Sequence, residues 1–426
     1  ALTSYHESLL ILRELAAEAP TVYLPELTAA LCDLARVHQH NDSLDMAEAA
    51  YNEALQIQRA LAYKSPNEYL PQLIRILFNW GDMLSVASRK AESRVYWEEA
   101  LNIAKILADK RPEQFESKVA SIEHQIGKSL AEDGFYQEAI PRLQMAVHTR
   151  EELAAFDAET FAPLLAESLL ELALCHLHTD DTHTAEQDLL EAFDRINDLP
   201  YEFGAQNTSL GLDILSQLGV LQRLHGKIEE ALATFESYRL IVDELANSQA
   251  EAYLGELAYV HNQLAKLFVE NEQFEKAFAH MELVFHHRQT LYAAGKLFAG
   301  DIARTLHTMA YFCLKTQRLS EARQFYRDAL NLYRGLYKQS PEKYLTDTIG
   351  VILDMAEFYT HLMPDTIQSG QYIRDAFTLA IPEAKQNKVV LKQVERACEL
   401  LRENGIDAKN YLATHFPQAN SSQKYR

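Results

Sequence analysis

The 426-residue chain carries none of the compact signatures that announce catalysis: no phosphate loop, no G-x-G-x-x-G, no H-E-x-x-H, no G-x-S-x-G and no paired C-x-x-C. An enzyme is therefore not expected, nor is a cofactor. Basic charge is also in short supply, with 40 Lys and Arg against 61 Asp and Glu and a formal charge of −21. Phosphate backbones and anionic bilayers are repelled on average, which excludes nucleic acid as the expected partner. Cysteines number four, Cys32, Cys175, Cys313 and Cys398, and stand singly. Scattered thiols make no disulfide framework, so free buried cysteines in a reducing, cytoplasmic setting are expected. Neither a charged-then-apolar leader nor a run of 18 apolar residues occurs, so no membrane insertion is expected.

What the chain does have is an interval. The stretch Ala50-Tyr51-Asn52-Glu53-Ala54-Leu55-Gln56-Ile57 recurs from one end to the other. Measured on Ala54, its counterparts are Ser8, Ala100, Ala146, Ala192, Tyr238, Val284, Ala329 and Ala376, so the steps are 46 six times, then 45 and 47. Self-similarity at this period marks a stacked array of helical repeats. Within the first complete repeat, Leu31, Leu34, Ala35 and His38 keep helical spacing, Asn41-Asp42-Ser43 interrupts it, and Ala47, Tyr51 and Ala54 resume it. The pattern predicts two amphipathic helices, A and B, joined by a short turn. Small residues recur where helices must cross closely, as in Ile126-Gly127, Leu218-Gly219 and Met309-Ala310.

These letters resemble the tetratricopeptide repeat, with Trp80-Gly81 and Trp97 in two of its large slots. The period is a dozen residues longer than usual for that family. The added stretch has its own motif, Ser65-Pro66-Asn67-Glu68-Tyr69-Leu70-Pro71, repeated from Pro20 to Pro25, from Pro112 to Phe115 and from Ser340 to Leu345. Ser65 reads as a helix cap, Pro66 as the first helical residue and Glu68 as the acid of a capping box. Long-period arrays with this turn are similar to those of bacterial signalling proteins and, more distantly, of kinesin light chains. The resemblance implies an all-α fold: a right-handed superhelical solenoid of about eight helix pairs over residues 1–385, beginning with a lone B helix. Residues 386–426 are expected to form capping helices and a polar tail. An opening on Ala1 within half a repeat is expected either of a removed initiator Met or of a fragment with more sequence upstream. A one-residue insertion near Met363-Pro364-Asp365 is expected to account for the 47-residue step, and a looser connection is expected from Asp198 to Thr208.

Two histidine groups invite a metal reading. Cys175-His176-Leu177-His178-Thr179-Asp180-Asp181-Thr182-His183 mixes soft and hard ligands, but lacks any zinc-ligand spacing and is divided between a helix and a turn. His280, His286 and His287 read as one face of a B helix with nothing else converging on them. No metal is expected at either.

The resemblance implies that A helices line a groove, with the residues two before and two after the small-residue pair facing inward. The candidate groove set is then Arg36, Phe78, Asp82, His124, Lys128, Leu170, Leu174, Val220, Asn262, Lys266, His307 and Tyr311. Lys and Asn do not recur there as the family's carboxylate clamp for chaperone C-termini requires. The function implied is a protein-interaction scaffold gripping a peptide or helix with an apolar centre and basic flanks, the flanks being attracted by the net charge. The alternative is a sensor module of a larger signalling protein, answering to a peptide or small ligand.

Overall fold

The computed structural model describes residues 2–41, 43–197, 205–384 and 387–416. The expected loose connection falls largely on 198–204 and the polar tail on 417–426, both outside the described residues.

The chain is all-α, with no strand among the described residues. A first helix, α1 (Leu2–Glu18), precedes A and B helices in alternation. The A helices of the first half are α2 (Pro20–His40), α4 (Pro66–Val86), α6 (Pro112–Glu132), α8 (Ala158–His178) and α10 (Ala205–Leu224). Their B partners are α3 (Leu44–Lys64), α5 (Lys90–Ala108), α7 (Tyr136–Ala154), α9 (Thr182–Asn197) and α11 (Ile228–Gln249). The A helices continue with α12 (Leu254–Glu270), α14 (Ala299–Lys315) and α16 (Pro341–Glu357), the B helices with α13 (Phe274–Ala293), α15 (Leu319–Gln339) and α17 (Thr366–Ala380). Two more, α18 (Lys388–Glu403) and α19 (Ala408–His415), follow where capping helices were expected.

Contacts divide the chain into two compact units, 1–221 and 222–426. In each, helices pack on their neighbours in chain order, and in the second α18 also packs on α16. The small residues are where the helices approach. Ala54, Ala100, Ala146, Ala192 and Ala329 are wholly buried. Ser8 is exposed, as nothing packs against that side of α1 among the described residues. Trp80, Trp97 and Leu77 fill the wide places of the first unit's core. Among the described residues one helix, α8, is long and apolar enough to cross a bilayer, with a mean hydropathy of 1.3 in its best window. Half of that window is buried, with Leu165 and Leu169 in the core shared with α9.

Six of the A-to-B turns share one geometry. A residue in the left-handed region ends the A helix at Ser88, Gly134, Asp180, Gly226, Glu272 and Gln317. The following N–H then reaches back five residues, as Arg89 N donates to Leu84 O (2.8 Å) and Arg318 N to Cys313 O (2.7 Å). This is the Schellman arrangement.

Two local expectations are corrected. Ser65 makes no side-chain cap bond, so no capping box forms. It is the single residue between α3 and α4, closing one helix with its N–H on Leu61 O (2.9 Å) and opening the next with its carbonyl on the Glu68 and Tyr69 N–H groups (3.2 Å each). The backbone alone does both. The extra residue of the 47-residue step is not in the turn, which keeps three residues, 363–365. It lies in a π-helical turn at Phe358–Leu362, closed by Met363 N on Phe358 O (3.0 Å).

Candidate functional site

In the first unit, the A helices α2, α4, α6 and α8 enclose a concavity of about 640 Å³. Its walls are apolar where Ile74, Phe78, Phe115 and Ile122 face it, and polar at Asn79, Ser121 and Gln125. Of the sequence-derived set, Arg36 and Phe78 line it. Further wall residues come from one helical turn earlier, at Arg75, Ser121 and Glu167, and from the register of Asp33, Asn79 and Gln125.

Its charge is opposite in sign to the chain's. Arg36 pairs with Asp33. Arg75 and Lys118 are exposed and hold no ion pair among the described residues. Arg150 reaches in from α7, a B helix, with only 3% of its surface exposed. Its Nη1 donates to Leu164 O (2.5 Å) and Ser168 Oγ (2.6 Å), while Nε has no partner among the described residues. Burial pulls the Arg150 pKa down to about 10, which leaves it cationic at neutral pH. The neighbouring Glu167 carboxyl is held down to about 2, chiefly by His124, whose Nε2 lies 3.6 Å away, and further by the charges of Arg150 and Lys128.

His124 itself is buried, with Nδ1 3.1 Å from Ser168 Oγ, and burial pushes its pKa down. Lys128 pairs with Glu171 (2.8 Å). Asp82 is half-buried and desolvation raises its pKa to about 6, against the lowering effect of Trp97. Leu170 is buried, and Leu174 and Val220 are half-buried. None of these six lines the concavity.

The second unit has a concavity of about 720 Å³. His307 and Tyr311 of α14 line it, with Asp354 and Glu357 of α16 and Arg396 of α18. Here the charges of His307, Asp354, Glu357 and Arg396 are mutually satisfied, while Lys315 lies over the Tyr311 ring (5.4 Å). His307 Nε2 lies 2.5 Å from Asp354 Oδ2, and Arg396 Nη2 donates to Asp354 Oδ1 (2.7 Å) and also pairs with Glu357. Burial would raise the Asp354 carboxyl, but His307 and Arg396 outweigh it and the pKa falls. Asn262 is half-buried and Lys266 exposed, and neither lines this concavity.

The histidines resolve differently from expectation at one place. His261 of α12, which sequence reading passed over, converges on the α13 pair: its Nδ1 is 2.9 Å from His280 Nδ1 and its ring stacks on His287 at 5.9 Å. His286 is exposed. In the Cys175–His183 stretch the side chains diverge, His176 Nδ1 meeting Asp188 Oδ2 (2.7 Å) and His178 stacking on Tyr136 (4.2 Å). Among the described residues no three His, Cys, Asp or Glu side chains, these histidines included, are placed to hold one metal ion. All four cysteines are free and buried.

The tetratricopeptide repeat profile matches residues 28–61 and 303–335. No curated protein matches the chain. Among solved structures, the apo form of RapI is similar at 15% identity and a TM-score of 0.49, over 91% of this chain and 99% of its own. The apo form of the quorum sensor NprR from B. thuringiensis is similar at 16% identity and 0.47, over 93% and 96%. A putative kinesin light chain of Podosopora anserina with nearly identical TPR-like repeats is similar at 19% identity and 0.39, over 53% and 98%.

Proposed function

From a chain that carries tetratricopeptide repeats, we infer a non-enzymatic interaction protein that holds a peptide or helical segment of a partner against its A helices. The observation that carries this reading is the concavity of about 640 Å³ walled by four successive A helices. It has the volume to suit a ligand of several residues, and an apolar wall set among polar and charged groups. Affinity would come from apolar anchors on Phe78, Phe115 and Ile122, while the chain's charge of −21 would speed the approach of basic flanks. Four buried free thiols suit a cytoplasmic setting.

The test is a display selection of random heptapeptides on the full chain. A selected peptide should bind Ser121→Trp, which fills the concavity, at least tenfold more weakly than wild type. It should bind Met145→Ala, on the exposed side of α7, unchanged. Equal binding to wild type and Ser121→Trp would place the site elsewhere.

A further inference from the structure

We propose that the first unit's concavity receives a carboxylate side chain of the bound segment, seated on the guanidinium of Arg150. The proposal rests on the groove reading above and names the chemistry of what the groove selects.

A guanidinium so far from water ordinarily carries a carboxylate, because burying an unpaired charge is costly. Arg150 instead has two neutral acceptors, Leu164 O and Ser168 Oγ, and an Nε with no partner among the described residues. The nearest acid in the lining, Glu167, makes no ion pair with it and lies beside His124. Four residues after the small position of each B helix, most other repeats do without a charge, with Ala104, Val242 and Tyr333 buried there. Arg288 of α13 is the exception, half-buried and donating to Thr305 Oγ1 (2.7 Å) as Arg150 does to Ser168 Oγ. Gln58 holds that place in α3 and spends its amide on Tyr69 O (2.8 Å). Arg150 is therefore a buried cation with spare donors on the wall of an open concavity.

The rim agrees with the floor. Arg75 and Lys118 line the same concavity without ion pairs among the described residues, so its field attracts an anion although the chain as a whole repels one. The planar edge of a guanidinium matches a carboxylate in bidentate fashion. Asp33 and Glu167 in the same lining favour a single negative charge over the double charge of a phosphate. The apolar wall at Ile74 and Phe115 asks for an aliphatic or aromatic neighbour. The occupant is an acidic residue flanked by apolar ones.

The heptapeptides selected on the wild-type chain should share one Asp or Glu position. Fluorescence anisotropy then compares the best peptide with its Glu→Gln (or Asp→Asn) and phosphoserine counterparts, on wild type and on Arg150→Gln. The amide peptide should bind wild type at least tenfold more weakly, and acid and amide peptides should bind Arg150→Gln alike. Should Arg150→Gln fail to fold by circular dichroism, Arg75→Gln with Lys118→Gln serves, both sites being exposed, and should cut the preference for acid at least threefold. Peptides without a shared acid, or an acid preference undiminished in these variants, would overturn the proposal and leave the groove reading standing. Tighter binding of the phosphoserine peptide would overturn it in favour of a phosphopeptide. A selection that yields no peptide at all would overturn both.

Discussion

A methyl group added at Gly81 would sit 2.3 Å from Trp97 Nε1, and one at Gly127 2.7 Å from Leu143 Cγ. Each glycine is held by a large residue of the following B helix. Gly81→Ala should therefore cost on the order of 1–3 kcal/mol through overpacking, read as a lower urea midpoint with an unchanged slope. An unchanged midpoint would mean the small positions do not set the helix approach. His261 offers a second test at this scale. Burial, and then its neighbours His280 and His287 with the charge of Arg239, depress its pKa from 6.5 to about 4. The folded chain thus binds this proton less readily than the unfolded one, and stability rises with pH across that window. It should be intact above about pH 6.5 and fall by about 1.4 kcal/mol per unit as the pH drops toward about 4. Urea midpoints at pH 7 and pH 4.5 should differ more for wild type than for His261→Gln. Equal differences would remove the histidine stack as the cause.

At the scale of the element, the A-to-B turn puts a non-glycine residue in the left-handed region at Ser88, Asp180, Glu272 and Gln317, where two other repeats have Gly134 and Gly226. Relief of that strain is partly offset by the extra freedom glycine gives the unfolded chain, so Gln317→Gly should stabilise by about 0.5–1 kcal/mol. A lower melting temperature would show that the Gln317 side chain contributes more than its backbone conformation costs. The B-to-A junction gives a paired test. Ser65→Ala should change stability by less than about 0.5 kcal/mol, as its side chain caps nothing. Asp157→Ala should cost about 1 kcal/mol, since its Oδ1 accepts from Thr160 N (3.2 Å). The reverse order would restore the capping box. Sequence reading found these junctions because proline and the aromatic after it recur at a fixed place. It misassigned the cap because composition cannot tell a side-chain cap from one residue whose backbone serves two helices. The π-helical turn was invisible for a similar reason: a period counts an extra residue but does not say whether turn or helix absorbs it.

Over the whole chain, the period made the fold legible because close helix crossing admits few residue types, and Ala100, Ala146 and Ala329 had to be small. The groove was less legible. The position three residues before Gly127 and its relatives holds His124 and Leu170, which are buried, while Asn79 and Gln125, one residue on, line the concavity. The lengthened A helices bring a further turn, with Arg75 and Lys118, onto the same wall. Arg150 was missed since it belongs to a B helix. A partial signal was present, as a charged residue in a column that reads Ala104, Val242 and Tyr333 in other repeats, though Arg288 shares it. Net charge did not give the sign of the concavity either, because −21 describes the far field and says nothing of one concavity.

The central claim is that the A-helix side of the first unit is the binding surface. Hydrogen exchange of the full chain, with and without a peptide selected on it, tests this most directly. Slowed exchange in α2, α4, α6 and α8 is the expected result. Slowing confined to α3, α5 and α7, or absent from all seven helices, would contradict it.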